Sequence, residues 1–177
     1  MSMSDSSTGI LILSPVFAPE IGGIETHLMD LCKSLTATGK YHVFVCAFQP
    51  IFTLKHNRAP CREQIGCFTV HRFRWPALGL WHSSTSLHLL LAEAYLAPYF
   101  LLRSFLILVR YHRRGNKIHA QGMMAAIAGR LLSSLFKKPL IVSTHAIYDL
   151  SGNSLGTRVA RWAIRGAEQI LSLSEQS

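Results

Sequence analysis

The amino-acid sequence predicts an α/β fold, a parallel sheet with helices on both faces. Short apolar runs alternate with helical patterns of ten or more residues, which is how βαβ units read in a sequence. The runs "LILS" (Leu11 to Ser14) and "LIVS" (Leu140 to Ser143) are almost continuously apolar, as strands buried on both faces are. Ile24, Leu28, Leu31 and Leu35 recur at spacings of four, three and four, which places them on one helical face.

The elements follow in order. Ile10–Ser14 reads as a buried strand and Ile24–Thr38 as an amphipathic helix, with Gly39 as its stop. His42–Ala47 and Phe68–Phe73 read as two further strands. Between them, Gln49–Gly66 carries two prolines and mixed polar residues and reads as an irregular loop. A long helix is expected over Leu87–Arg114. A short strand at "KIHA", a helix over Met123–Phe136, a strong strand at Pro139–His145, a helix over Leu155–Gly166 and a last strand at "QILSLS" complete the pattern.

A chain of 177 residues holds one domain with a real core, since domains commonly run to about 100–150 residues. Met1–Gly9 reads as a disordered polar tail and residues 10–177 as that domain. The tail lacks the basic and apolar segments of a signal peptide, which points to the cytoplasm. Hydrophobic residues make up 49% and charged residues 15%, so the chain is not of the disordered class. So few charges suit a domain that hides surface against a partner domain, a second chain or a membrane. Eighteen Lys and Arg against nine Asp and Glu give a net charge of +9, which favours acidic partners such as phosphates or anionic lipid. The basic residues are spread, with small clusters at "RYHRR" (Arg110 to Arg114) and Lys137-Lys138. A nucleic-acid-binding reading would rest on charge alone, and nucleic acid is not an expected partner. Cys32, Cys46, Cys61 and Cys67 show no CxxC spacing and predict no zinc site. Cys32 and Cys46 fall in core segments, where a thiol behaves as a small hydrophobe.

The segment Leu87–Tyr111 is apolar enough to raise the question of a membrane span. Arg103 and Glu93 argue against one, because a central Arg alone costs about 2.5–3.5 kcal/mol on insertion scales. Two readings stay open. One is a core helix bent or broken at Pro98. The other is an interfacial helix with Arg103 and Arg110 on one face, whose end cluster of Arg110, Arg113 and Arg114 suits anionic headgroups.

Chemistry is best marked at "FAPEIGGIETH", Phe17 to His27. A strand, a loop with two glycines and a helix N-terminus present free backbone amides to an anion. Gly22 and Gly23 have no side chain to block approach and can take positive φ cheaply. Glu25 suits the positive end of the helix dipole. Paired glycines also serve ordinary tight turns, and the stretch is not a GxGxxG dinucleotide fingerprint.

The surrounding residues resemble the opening of the group-1 retaining glycosyltransferases of the GT-B fold (glycosyltransferase family 4-like). Pro19, Gly22, Gly23, Glu25 and His27 stand in the order of that family's Gly-Gly-x-Glu-x-His stretch, and its Gly-His element appears altered as Gly39-Lys40-Tyr41-His42-Val43. "KIHAQG" resembles the strand end D-x-V-H-x-H, with Asn116 in place of the usual Asp and Gln121 where a second His often falls. "PLIVSTHAIYD" resembles the strand ending in a threonine and a functional His, here Thr144-His145. "GAEQILSLSEQS" resembles the A-D-x-I-I-x-x-S strand that closes the first domain.

The resemblance implies a Rossmann-like domain that is the acceptor-side half of a two-domain GT-B enzyme. It implies transfer of a sugar from a nucleotide sugar, the co-substrate, to a glycan or lipid-linked acceptor, with no cofactor and no metal. Gly22 and Gly23 would contact the donor diphosphate, with Glu25 and His119 also on the donor side. His145 would hydrogen-bond the transferred sugar and place its reacting carbon as the catalytic residue. His119 also fits a structural role, and His27 reads as structural. The C-terminal donor-binding domain has no counterpart here, so the isolated chain is expected to be inactive without a donor domain or subunit. A peripheral place on the cytoplasmic membrane face would fit the basic, apolar helix. A second reading is a non-catalytic adaptor that recruits a separate donor-domain subunit or another partner.

Overall fold

The computed structural model describes residues 8–50, 59–75, 86–111, 115–145 and 151–172, with the backbone alone for 86–94. The expected tail residues 1–7, Arg113, Arg114 and the end of the last expected strand lie outside the described residues. The chain runs β1 (Thr8–Leu13), α1 (Gly23–Ala37), β2 (Tyr41–Phe48), β3 (Arg62–Ile65), β4 (Phe68–Phe73), α2 (Ser86–Arg110), β5 (Gly115–Gln121), α3 (Gly122–Phe136), β6 (Leu140–Thr144), α4 (Leu155–Arg165) and β7 (Gln169–Ser172).

Among the described residues, one seven-stranded sheet has the order β3-β4-β2-β1-β5-β6-β7. Every pairing is parallel except β3 with β4. The chain builds outward from β1 to β2 and β4, then returns to β5 on the other side of β1 and continues to β6 and β7. The order therefore reverses between β1 and β5, where open α/β sheets leave a crevice outside the carboxyl ends of their strands.

Strand alternation divides the core between the two faces. Ile10 and Ile12, with Val43, Val45, Ala47, Phe68 and Val70, join Leu28 and Cys32 of α1 on one face. Leu11 and Leu13, with Phe44, Cys46, Phe48, Ile118, Ala120, Leu140 and Val142, meet α2 and α3 on the other. The apolar character of "LILS" follows from this, since every residue of β1 after Thr8 is buried. Packing α3 against the sheet is close at Gly129, where a Cβ would lie 2.9 Å from Leu140 Cδ1 and 3.2 Å from Ala120 Cβ.

Three expectations are corrected. Thr8 and Gly9, assigned to the polar tail, are strand residues that pair with Tyr41 and His42. The expected loop over Gln49–Gly66 contains β3, which pairs antiparallel with β4 through a tight turn where Gly66 has φ +55°. Its alternation of exposed and half-buried residues is that of an edge strand too polar to show in a hydrophobic pattern. Finally, α2 runs unbroken through Pro98. Pro98 is exposed, while Leu96 and Phe100 on either side are buried in the core, and that packing holds the turns around it.

The core reading of α2 is therefore met on its inner face, with Leu96, Phe100, Ser104 and Leu108 buried. Phe100 packs on Phe48 and Phe73, and Tyr111 stacks on Phe44 at 4.3 Å. The outer face carries Tyr95, Leu102, Leu106 and Val109 in the open, at spacings of seven, four and three that share one side of a helix. No helix among the described residues is long and apolar enough to cross a membrane.

Candidate active site

The loop after β1 is anchored before it reaches the glycines. Ser14 Oγ donates to the Val16 carbonyl at 2.6 Å, and Phe17 is buried edge-on against Phe68. The Ala18 carbonyl accepts from Arg72 Nη2 at 2.7 Å. Arg72 lies in β4 with its side chain almost wholly buried, and its Nη1 bonds Glu63 of β3 at 2.6 Å. The hairpin, whose β3 strand sequence reading missed, thus holds a buried guanidinium that grips the loop four residues before Gly22.

Gly22 is the N-cap of α1, with φ −173° and ψ 172°. That is extended backbone open to any residue, and neither Gly22 nor Gly23 takes a positive φ. The expected use of glycine for left-handed geometry is corrected here, and what the position shows instead is space. The Glu25 carboxylate folds back over Gly22, where a Cβ would collide with it, while the space around Gly23 is open. Thr26 closes the first turn by bonding the Gly22 carbonyl through both its amide and its Oγ1. Among the described residues, no side chain caps the N-terminus of α1. The same holds for α3, which leaves β5 directly because Gly122 turns the chain at φ +77°, a conformation that costs glycine little. In contrast, α4 is capped by Ser154, whose Oγ accepts from the Thr157 amide. Two helix N-termini with unclaimed amides therefore stand at the carboxyl ends of β1 and β5.

A polar chain crosses the ends of β5 and β6. His119 of β5 is buried, with Nε2 at 2.8 Å from Ser143 Oγ of β6 and 3.0 Å from Gln121 Nε2. Gln121 Oε1 lies 2.6 Å from Nε2 of His145, the residue that follows β6. The His145 ring meets that of His27 on α1 edge-on, with centroids 6.3 Å apart. Its Nδ1 is covered and has no hydrogen-bond partner among the described residues.

Burial favours the neutral forms of His119 and His145. Burial, reinforced by neighbouring His145 and His27, pushes His119 down to about 4. Burial and His27 also lower His145, against a smaller opposing pull from Glu25. A neutral imidazole can place one donor and one acceptor by hydrogen bonding, which is what orienting a hydroxylated substrate requires. Among the described residues no cluster of His, Cys, Asp and Glu is arranged to hold a metal. Cys32 and Cys46 are buried, and burial raises both thiols to about 12, so neither is a nucleophile at neutral pH.

The structure thus brings Gly22, Gly23, Glu25, His27 and His145 to one end of the sheet. His119 stands one layer behind them, committed to Ser143 and Gln121. Sequence reading noted Gln121 only as a departure from a motif and missed Ser143 and Arg72. An arginine and a histidine inside the otherwise apolar "FTVHRF" were the available signal.

Comparison with known proteins bears on the fold and the family. Residues 22–177 match the family model described as "Glycosyl transferase 4-like domain". No curated protein sequence matches the chain. Among solved structures, the chain is similar to sucrose-phosphate synthase from Thermosynechococcus elongatus, with a TM-score of 0.67 at 16% identity over 92% of this chain and 41% of that one. It is similar to the catalytic domain of starch synthase IV from Arabidopsis thaliana bound to ADP and acarbose, with a TM-score of 0.56 at 13% identity over 80% of this chain and 34% of that one. It is also similar to the spinosyn rhamnosyltransferase SpnG complexed with thymidine diphosphate, with a TM-score of 0.51 at 19% identity over 93% of this chain and 44% of that one. The chain spans less than half the length of these structures. Its Rossmann-like sheet is that of a GT-B glycosyltransferase domain, and by the match over residues 22–177 the chain belongs to the glycosyl transferase 4-like family.

Proposed function

We propose that the chain is the acceptor-side domain of a retaining glycosyltransferase that moves a sugar from a nucleotide sugar to a glycan or lipid-linked acceptor, acting with a donor-binding domain. The observation that carries this is the convergence, at the strand-order reversal, of the uncapped α1 N-terminus at Gly22-Gly23 with neutral His145. Amides of the Gly22-Gly23 turn would stabilise charge growing on the leaving nucleoside diphosphate. The Glu25 carboxylate lies over Gly22 and would swing aside as that anion arrives. His145 would bond a hydroxyl of the transferred sugar and hold its reacting carbon in place, while His119 supports it from behind. Ligands of similar structures, thymidine diphosphate with SpnG and ADP with starch synthase IV, support a nucleotide-sugar donor. The chemistry needs no further cofactor.

The exposed stripe of Tyr95, Leu102, Leu106 and Val109 on α2, with Arg103 and Arg110 also exposed on that helix, supports a peripheral site on the cytoplasmic membrane face. A lipid-linked acceptor would be met there. The test of the main reading is transfer from labelled nucleotide sugars by the native enzyme, with Gly22→Val as the variant. Loss of turnover supports the loop's role, and unchanged kinetics removes it.

The second reading is a non-catalytic adaptor that recruits a separate donor-domain subunit or another partner. Intact mass of the native product separates the two. A second domain of ordinary size predicts roughly twice the 19.7 kDa of this sequence. A native mass near 19.7 kDa, with activity only on mixing with a captured subunit, favours the adaptor.

A further inference from the structure

Gln121 touches two histidines with opposite ends of one amide. Its Nε2, a donor only, faces His119 Nε2 at 3.0 Å, and its Oε1, an acceptor only, faces His145 Nε2 at 2.6 Å. An amide cannot switch these roles without turning over. His119 Nε2 must then be bare, which puts its proton on Nδ1. His145 Nε2 must carry a proton, which leaves its Nδ1 bare.

We infer that Gln121 is a positioning residue that fixes opposite tautomers on His119 and His145, leaving Nδ1 of His145 as a bare acceptor that a ligand donor meets once the atoms covering it move aside. The geometry of the two contacts carries this, together with the covered and unpartnered Nδ1 of His145 among the described residues. A buried acceptor left unmade costs about 1–3 kcal/mol, and a donor group from a ligand would recover it. The recognised group is accordingly a hydrogen-bond donor, as a sugar hydroxyl is, and not a carboxylate or carbonyl oxygen. Ser143 does not set the tautomer, because its hydroxyl can donate to or accept from His119 equally. This inference rests on the proposed role of His145 beside the transferred sugar, but its test does not.

The experiment is long-range proton–nitrogen correlation on the whole chain labelled with nitrogen-15 histidine at neutral pH. It reads which ring nitrogen of each histidine is protonated. Wild type is expected to show His145 as the Nε2–H form and His119 as the Nδ1–H form. Gln121→Glu replaces the amide donor with a second acceptor, so His145 should keep its form while His119 moves its proton to Nε2. Gln121→Leu should leave His145 a mixture of both forms, and Ser143→Ala should leave His145 unchanged. A wild-type His145 protonated at Nδ1 overturns the inference, and so does a Gln121→Leu variant with both rings unaltered. The wild-type spectrum decides even if a variant fails to fold. Adding inorganic pyrophosphate to the same sample and following the Gly22 and Gly23 amides tests the donor-site reading separately, since that reading can fail while the tautomers stand.

Discussion

Replacing Arg72 with Met should loosen both the fold and the loop that leads to the glycines. The guanidinium makes two short charge-assisted bonds, to Glu63 at 2.6 Å and to the Ala18 carbonyl at 2.7 Å. A third contact, to Pro60 O at 3.4 Å, is too long to count for much. Two such bonds are worth about 3–6 kcal/mol gross, at roughly 1.5–3 each. Against that, Met fills a similar volume without the cost of burying a charge, and Arg72 Nε has no partner among the described residues. Glu63, with its side chain 37% exposed, can turn to water when its partner goes. The Ala18 carbonyl loses its donor. We therefore expect a net loss of about 2–4 kcal/mol, nearer the low end of what breaking a fully buried pair costs. Urea unfolding should show the midpoint falling by about 1–2 M with the slope unchanged, for a slope near 2 kcal/mol/M. Glu63→Gln, which keeps the Ala18 bond, should lose less than half as much. A stability within about 0.5 kcal/mol of wild type, the range of an ordinary surface change, would refute the claim that Arg72 anchors the loop.

Acid should destabilise the fold. His71 and His119 are both held down to about 4, chiefly by burial, from 6.5 when unfolded. Between those values the unfolded chain binds the extra protons, so stability is full above about pH 6.5 and drains as pH falls toward 4. Each site can remove about 3 kcal/mol, and chemical denaturation at pH 7, 5.5 and 4.5 should show a monotonic decline. Gly23→Ala meets open space at the first turn of α1. It should leave stability unchanged or raised by up to about 1 kcal/mol, yet weaken pyrophosphate binding measured by amide shifts. Glu25→Gln removes a like charge from over Gly22 and should tighten pyrophosphate binding roughly fivefold, from about 1 kcal/mol of repulsion in water. Arg103→Gln combined with Arg110→Gln should weaken binding to anionic vesicles by roughly thirtyfold at about 1 kcal/mol per charge. Undiminished, salt-insensitive binding would count against a membrane role for α2.

The fold class was legible in the sequence because burial on both faces leaves an unbroken apolar run. β1 and β6 are such strands, and the spacing of Ile24, Leu28, Leu31 and Leu35 made α1 readable. β3 was not legible, because "REQI" is an edge strand with one apolar residue, and pairing at an edge leaves no hydrophobic signature. Missing β3 also hid the meaning of Arg72, whose partner Glu63 sits there. Within the site, Gly22, Gly23 and His145 could be read from motif order, the glycines at the start of α1 and His145 directly after β6. The role of Gln121 could not, because it depends on which rings β5 and β6 bring to the two ends of its amide. Sequence reading gave Gly22 both a steric and a conformational reason, and the structure shows only the steric one, with the Glu25 carboxylate folded over it.

The central claim is that the turn at Gly22-Gly23 and the first amides of α1 receive a diphosphate. Titrating inorganic pyrophosphate into the nitrogen-15-labelled chain, with sulfate at matched ionic strength as the control, tests it most directly. The account predicts weak but saturable shifts confined to the amides of Gly22, Gly23 and Ile24, enlarged in Glu25→Gln and reduced in Gly23→Ala. Shifts that spread over the basic surface and follow sulfate equally, with the glycine amides unmoved, would contradict it.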